Sequence, residues 1–143
     1  MADRTSSSIT IKAGRDEIMA VIADLEAYPE WTDGIRDVEV LDTGPDGRPA
    51  RARLTIDAGP VRDSYTLAYT WRDDGVRWEL AERGAVVSGL RGSYRLREGA
   101  DGTEVTYELT VDVRMPMIGL VKRKAEKRIV DSALNGLRRR LEG

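Results

Sequence analysis

Apolar and polar residues alternate with period two through most of this chain, and the period lengthens to that of a helix near each end. Ser8–Ala13 reads as a strand with Ile9 and Ile11 on one face. Ala13-Gly14-Arg15-Asp16-Glu17 then opens a helix, its acids in the first turn where the helix dipole favours them. Ile18, Val21, Ile22 and Leu25 continue it at helical spacing. Tyr28-Pro29 should end that helix, because proline pushes the preceding residue out of the helical region. Pro29-Glu30-Trp31 is expected to start a second short helix, with proline in its first turn.

After Gly34 the two-residue period holds for a long stretch. Val38 and Val40 share one face of a strand closed by the turn-forming run Asp42–Pro49. Ala52, Leu54 and Ile56 oppose Arg51, Arg53, Thr55 and Asp57 in the next. Beyond Gly59-Pro60, Tyr65, Leu67, Tyr69 and Trp71 share a face, and Asp73-Asp74-Gly75 predicts a hairpin turn. Trp78 and Leu80 alternate next, the pattern breaks at Arg83-Gly84, and Leu90, Gly92, Tyr94 and Leu96 resume it. The clearest strand follows a Gly/Asp turn at Glu98–Gly102, with Val105, Tyr107, Leu109, Val111 and Val113 set against polar neighbours. Strands at this spacing joined by tight turns predict an antiparallel meander with one dry face and one wet face.

Met115-Pro116-Met117 marks the switch to a helix running to about Leu141. On a helical wheel, Val121, Ala125 and Ile129 cluster with Ile118, whereas Val130, Leu134, Leu137 and Leu141 centre about 130° away. The apolar stripe rotates, so the two halves of the helix are expected to meet different surfaces. A one-sided sheet of this length must cover its apolar face, and the only large element available is this helix. The fold class is therefore α+β: a curved antiparallel sheet of about seven strands around a long C-terminal helix, with two short helices after the first strand. Residues 1–143 read as one domain.

Composition narrows the chemistry. The chain has neither cysteine nor histidine, which excludes disulfides, thiolate metal sites and every Ser-His or Cys-His nucleophile. Asp57, Asp63, Glu108 and Asp112 show no metal-ligand spacing. No metal, cofactor or catalytic residue is expected. Met1–Ser8 is polar and no window approaches a membrane span, so a soluble, cytoplasmic protein is expected.

Net charge is only −2, too little for nucleic-acid binding by the domain as a whole. The charge is unevenly placed, however. Residues 119–143 hold eight Lys/Arg against three Asp/Glu, leaving fifteen against twenty-two: a tail of about +5 on a body of about −7. A solvated helix face is the simpler reading, with transient contact to an anionic partner or membrane surface as the alternative. Lys122 and Glu126, four apart, are read as a solvated pair rather than a charge at a cavity mouth.

The run Ile22-Ala23-Asp24-Leu25-Glu26-Ala27-Tyr28-Pro29-Glu30-Trp31, continuing through Gly34–Leu41, resembles the opening of the polyketide cyclase/dehydrase and lipid-transport superfamily. This is the START-like group that includes the Bet v 1-type allergens and the coenzyme-Q-binding proteins. The tail, Gly119–Lys127 to Leu134–Leu137, resembles the closing helix of its bacterial members. The resemblance implies a helix-grip fold and an internal cavity for a hydrophobic small molecule, and it carries over no nucleophile. It also places a mobile entrance loop at Gly44–Arg48, which the residues alone describe as a plain hairpin loop.

With that implication, the inward-facing residues become candidate cavity lining. One wall comprises the aromatic residues Trp31, Tyr65, Tyr69, Trp78, Tyr94 and Tyr107 with Leu54, Ile56, Leu80, Leu109 and Val111. The other comprises Met115, Met117, Ile118, Val121 and Ala125, where methionine suits a variable shape. Tyrosine in place of the absent phenylalanine suggests a cavity with polar handles or water, since a buried phenol needs a partner. The rotating stripe puts the cavity against Met117–Ile129, with solid core beyond Val130.

Three functions remain open at this stage. The first is a carrier or sensor of a lipid, quinone or polyketide-like molecule, towards which the missing histidine tilts the choice. The second is a cyclase, aromatase or dehydratase working by positioning, with Tyr65, Tyr94 or Tyr107 as donors to enolates. The third is an interaction module of the coenzyme-Q-binding type, using the basic helix as its interface.

Overall fold

The computed structural model describes residues 4–58, 61–114 and 119–142. Seven strands form one antiparallel sheet: β1 (Thr5–Ile11), β2 (Ile35–Thr43), β3 (Pro49–Ala58), β4 (Val61–Arg72), β5 (Gly75–Glu82), β6 (Val87–Gly99) and β7 (Gly102–Val113). Their order is β1-β7-β6-β5-β4-β3-β2, so β2 to β7 run as a meander and β1 adds to its far edge. Between β1 and β2 lie helix α1 (Arg15–Ala23) and a short 3₁₀ helix, Leu25–Glu30. Helix α2 (Gly119–Glu142) closes the chain. This is a helix-grip fold.

One expectation needs correcting. The second short helix does not begin at Pro29; it is the 3₁₀ segment Leu25–Glu30, with Pro29 inside it. α1 already ends at Ala23, where Asp24 leaves helical geometry, and the tighter coil accommodates the proline five residues after Asp24. The tight segment buries Leu25, Ala27 and Tyr28 and ends on Trp31, whose ring meets Tyr28 edge-on at 4.9 Å.

The cross-strand register explains why one face is dry. Tyr69 stands opposite Trp78, Trp78 opposite Gly92, and Gly92 opposite Leu109. The next row places Trp71, Val76, Tyr94 and Tyr107 side by side. Opposed residues in an antiparallel sheet share a face, so these rows build an aromatic floor. A β-carbon on Gly92 would lie 2.4 Å from the Trp78 ring, so the indole occupies the space a side chain would need there. Over this floor, Val130, Leu134 and Leu137 of α2 join Ile11, Ile18, Ile22 and Leu25 in the buried core.

The Gly44–Arg48 segment is a closed hairpin turn: Gly44 N–H donates to the Arg48 carbonyl at 2.8 Å and Gly47 N–H to the Gly44 carbonyl at 3.0 Å. A second loop is held by a side chain. The Asp63 carboxylate of β4 accepts the N–H groups of Ser64, Ala85, Val86 and Val87 at 2.7–3.0 Å, tying the β5–β6 connection to β4. Burial alone would raise its pKa, but the four N–H bonds outweigh that and hold it below the ordinary aspartate value. Its contribution is thus complete above the unfolded-state aspartate range, about pH 4, and drains away as pH falls through the lowered folded value. Asp63→Asn should cost about 1 kcal/mol in urea denaturation at neutral pH and remove that acid-side slope.

Candidate functional site

The aromatic floor and α2 do not meet completely, and the gap between them is a cavity. It is walled by Leu54 and Ile56 of β3, Tyr65, Leu67 and Tyr69 of β4, and Trp78 of β5. Leu90 and Tyr94 of β6 and Tyr107, Leu109 and Val111 of β7 continue it. Ile129 and Ala133 of α2 cover it, and Tyr28 with the segment Thr32–Ile35 completes the rim. The centre of a water-sized sphere can move through about 80 Å³ of this space. That corresponds to roughly five to eight waters, a small ring or slender chain rather than a large polycycle.

Nine of the residues expected from the sequence meet here: Leu54, Ile56, Tyr65, Tyr69, Trp78, Tyr94, Tyr107, Leu109 and Val111. Trp31, Leu80 and Ala125 are not among the lining residues. Trp31 is buried behind Tyr28 with its carbonyl against Gly136. Leu80 sits opposite Leu67, next to the β4–β5 register shift, and is half-buried. Met115, Met117 and Ile118 and the side chain of Val121 lie outside the described residues.

The helix wall also extends further than expected. Ala133 lines the cavity one turn beyond Ile129, so solid core does not begin at Val130. Cavity and core lie side by side along the same turns: Ile129 and Ala133 face the opening, while Val130, Leu134 and Leu137 are buried. Leu67 and Leu90 shared the apolar phase of their strands, so the sequence carried a signal for them. Tyr28 and Thr32–Ile35 come from non-periodic chain and had none.

All five tyrosines of the chain line this cavity. Tyr28 donates its hydroxyl to the Ile22 carbonyl. The hydroxyls of Tyr65, Tyr69, Tyr94 and Tyr107 have no hydrogen-bond partner among the described residues. Trp78, Tyr94 and Tyr107 form a three-ring cluster, Tyr94 and Tyr107 edge-to-face at 4.7 Å and each 5.5 Å from Trp78. Burial pushes every one of these phenols above the usual tyrosine range. Neighbouring tyrosines raise Tyr94 and Tyr69 further, since phenolates so close would repel. At neutral pH the wall therefore presents neutral O–H groups that serve as donors and not as bases. Asp33, exposed at the rim, is the one charged residue among the described lining residues. Its N–H donates to Ser132 Oγ of α2 at 3.1 Å, and Asp57 N–H donates to the Gly34 carbonyl at 2.7 Å, so the rim segment is held on two sides.

Glu126 overturns the reading of a solvated pair. It is only 2% exposed; its carboxylate accepts the Val111 N–H at 2.9 Å and the Thr5 hydroxyl at 3.1 Å. β1 pairs β7 only as far as Thr5 opposite Leu109, so the carboxylate supplies the acceptor that Val111 would otherwise lack. The side chain of Lys122 lies outside the described residues. Glu126→Ala should cost about 2 kcal/mol in urea denaturation by stranding a buried N–H, and Glu126→Gln, which keeps one acceptor, distinctly less. Equal losses would sink this assignment.

A curved antiparallel sheet gripping a long C-terminal helix is the helix-grip fold of the START-like class. The chain belongs to the polyketide cyclase/dehydrase and lipid transport family, whose model matches residues 11–138. Its fold superposes on a START superfamily protein from Mycobacterium smegmatis with a TM-score of 0.87 at 22% identity, over 97% of each chain. The Zhui aromatase/cyclase from Streptomyces sp. R1128 gives 0.81 at 16% identity, over 99% of this chain and 94% of that one. A protein from Thermus thermophilus gives 0.84 at 20% identity, over 98% and 97% respectively. No curated protein matches the sequence. Among the described residues, no helix is long and apolar enough to cross a membrane.

Proposed function

We propose that the protein binds a neutral, largely apolar small molecule carrying acceptor oxygens, such as a quinone, a short polyketone or a related ring. The observation that carries this is the convergence of five neutral tyrosines on one apolar cavity, four with hydroxyls free to donate. These hydroxyls open onto the cavity, and a carbonyl-bearing ligand filling it would accept hydrogen bonds from several at once. A fatty acid fits poorly. Its carboxylate would meet no cation among the described lining residues and would stay unpaired.

A second reading is a cyclase or aromatase acting by positioning, favoured by the same four hydroxyls. Placed around a folded poly-carbonyl chain, they would stabilise developing enolate oxygens. The Asp33 carboxylate at the rim is the one ionised group of the described wall, so this reading rests mainly on geometry and the substrate's own acidity. The family description and the aromatase/cyclase named among the similar structures make it worth testing.

Native mass spectrometry of the protein as purified, followed by solvent extraction, tests the binding reading. A neutral oxygen-bearing molecule should be released. In titration, a methylated benzoquinone or short diketone should bind and octanoate should not. Tyr94→Phe and Tyr107→Phe should each weaken quinone binding about three- to tenfold. Absence of any uptake, or preference for octanoate, would overturn the proposal. Return of the diketone as a cyclised product would favour the enzyme.

A further inference from the structure

Cations outnumber acids on α2 and are outnumbered by them in the body. In the body, Arg4 and Arg95 reach Glu108, Arg36 and Arg62 reach Asp57, Arg51 reaches Asp42 and Arg97 reaches Glu104, while the exposed Arg53, Arg72, Arg77 and Arg91 have no ion-pair partner among the described residues and are spread over the sheet's outer face. On α2, Lys127 pairs with Asp131 and Arg140 with Glu30. Arg123, Lys124, Arg128, Arg138 and Arg139 are exposed with no ion-pair partner among the described residues. Lys124, Arg128, Arg138 and Arg139 lie on the side of the helix turned away from Val130, Leu134 and Leu137, and Arg123 lies at its start. From Lys124 to Arg139 the row is about 22 Å long.

We propose that this row docks the protein on the surface of a bilayer containing anionic lipids. Cations at both ends of one convex helix face match a plane of anionic headgroups, which can neutralise all of them without a shaped pocket. The body, at about −7, would turn away from such a surface while the tail, at about +5, turns towards it, so the charge asymmetry also sets the orientation. Leu41 on β2 is the large apolar side chain exposed among the described residues, so contact is superficial and electrostatic. The row borders the cavity rim as well. Arg128 precedes Ile129 of the lining and lies one turn before Ser132, which holds the Asp33 N–H. An apolar ligand would then exchange between bilayer and cavity beside the docked helix. The choice of a bilayer over a nucleic acid rests on the apolar-ligand reading; the row itself carries no aromatic side chain for base stacking.

The test is vesicle co-sedimentation of the full-length protein with phosphatidylcholine alone and with one-third phosphatidylglycerol. Binding should appear only with the anionic lipid at low salt and vanish at about 0.5 M NaCl. Each cation near the surface is worth about fivefold in binding, so Lys124→Glu/Arg128→Glu should lose at least about 25-fold, as should Arg138→Glu/Arg139→Glu. Arg72→Glu/Arg77→Glu makes the same charge change on the outer face of the sheet and should retain most of the binding. Thermal melts of all three variants show that each is folded. No binding to the anionic vesicles would overturn the proposal, as would retention by both tail variants or equal loss in the sheet variant. So would displacement by duplex DNA at lower concentration than by free phosphatidylglycerol vesicles, or a dimer in solution that the tail variants break. Quinone titration of the same variants separates the two ideas. Intact quinone binding with vesicle binding absent removes the docking and leaves the cavity. Vesicle binding by a protein that takes up no quinone supports the docking and removes the cargo.

Discussion

Ala133→Phe will abolish quinone uptake, by about 100-fold or more, and leave the protein folded. Ala133 lies on α2 within the cavity wall, facing the floor formed by Tyr69, Trp78, Tyr94 and Tyr107. A phenyl ring there enters the existing space of about 80 Å³ and consumes most of it. Larger residues in a filled core usually cost about 1–3 kcal/mol through strained rotamers, but here the ring meets empty volume and more aromatic surface. Thermal stability should therefore change by only a few degrees. The measurement is paired: a melt, and a titration with the methylated benzoquinone. Unchanged affinity would mean the ligand binds elsewhere, whereas collapse of the melt would mean the space is too small for the ring. Ile129→Ala should move the other way, enlarging the cavity at about 1–3 kcal/mol and admitting a bulkier quinone.

The second large effect is expected at Gly136. In an ordinary helix interior, glycine to alanine stabilises by roughly 1 kcal/mol, through chain entropy. Here a β-carbon would lie 1.8 Å from the Trp31 carbonyl oxygen and 3.0 Å from its carbon. Both partners are main chain, on α2 and at the end of the 3₁₀ helix, so neither can give by turning a side chain. The helix must shift bodily, and Gly136→Ala should cost about 3 kcal/mol net, or about 10 °C in melting temperature. Asn135→Ala, on the exposed neighbour, should stay within about 0.5 kcal/mol. Because Ala133 lies less than one turn earlier, the same shift should weaken quinone binding. A stabilised Gly136→Ala protein would show that the close approach is not real.

Both predictions sit on α2, the element whose neighbours its own sequence pattern specifies least. The strands could be read because period-two alternation is a local consequence of the pleat, and a sheet with one dry face needs no further information to sort its residues. The alternation points Tyr65, Tyr69, Trp78, Tyr94 and Tyr107 inward, and the structure puts all of them in the cavity wall. The helix offers no such certainty. Its stripe says which residues leave water but not which neighbour each one meets. Ala133, a small residue close to the core arc, gave no sign that it faces open space.

Glu126 shows the same limit for charge. On sequence it was one member of a solvated pair, because a glutamate four residues from a lysine on a helix is ordinarily exposed. What buries it is the end of β1 at Thr5, which leaves the Val111 N–H without a strand partner and the carboxylate to replace it. No local pattern encodes where one strand stops relative to another distant in the chain.

The sequence by itself thus determined the strand meander, the dry face, the helix that covers it, the lack of histidine and cysteine chemistry, and the uneven charge. Each follows from composition or from a period only a few residues long. The tertiary structure decided how much space remains between floor and helix, which tyrosine hydroxyls stay without partners, and which α2 cations have none. It also decided where Gly136 lets two backbones touch. Those are properties of contacts between segments far apart in sequence. A volume of about 80 Å³ left unfilled is a difference between large packed surfaces that no single segment records.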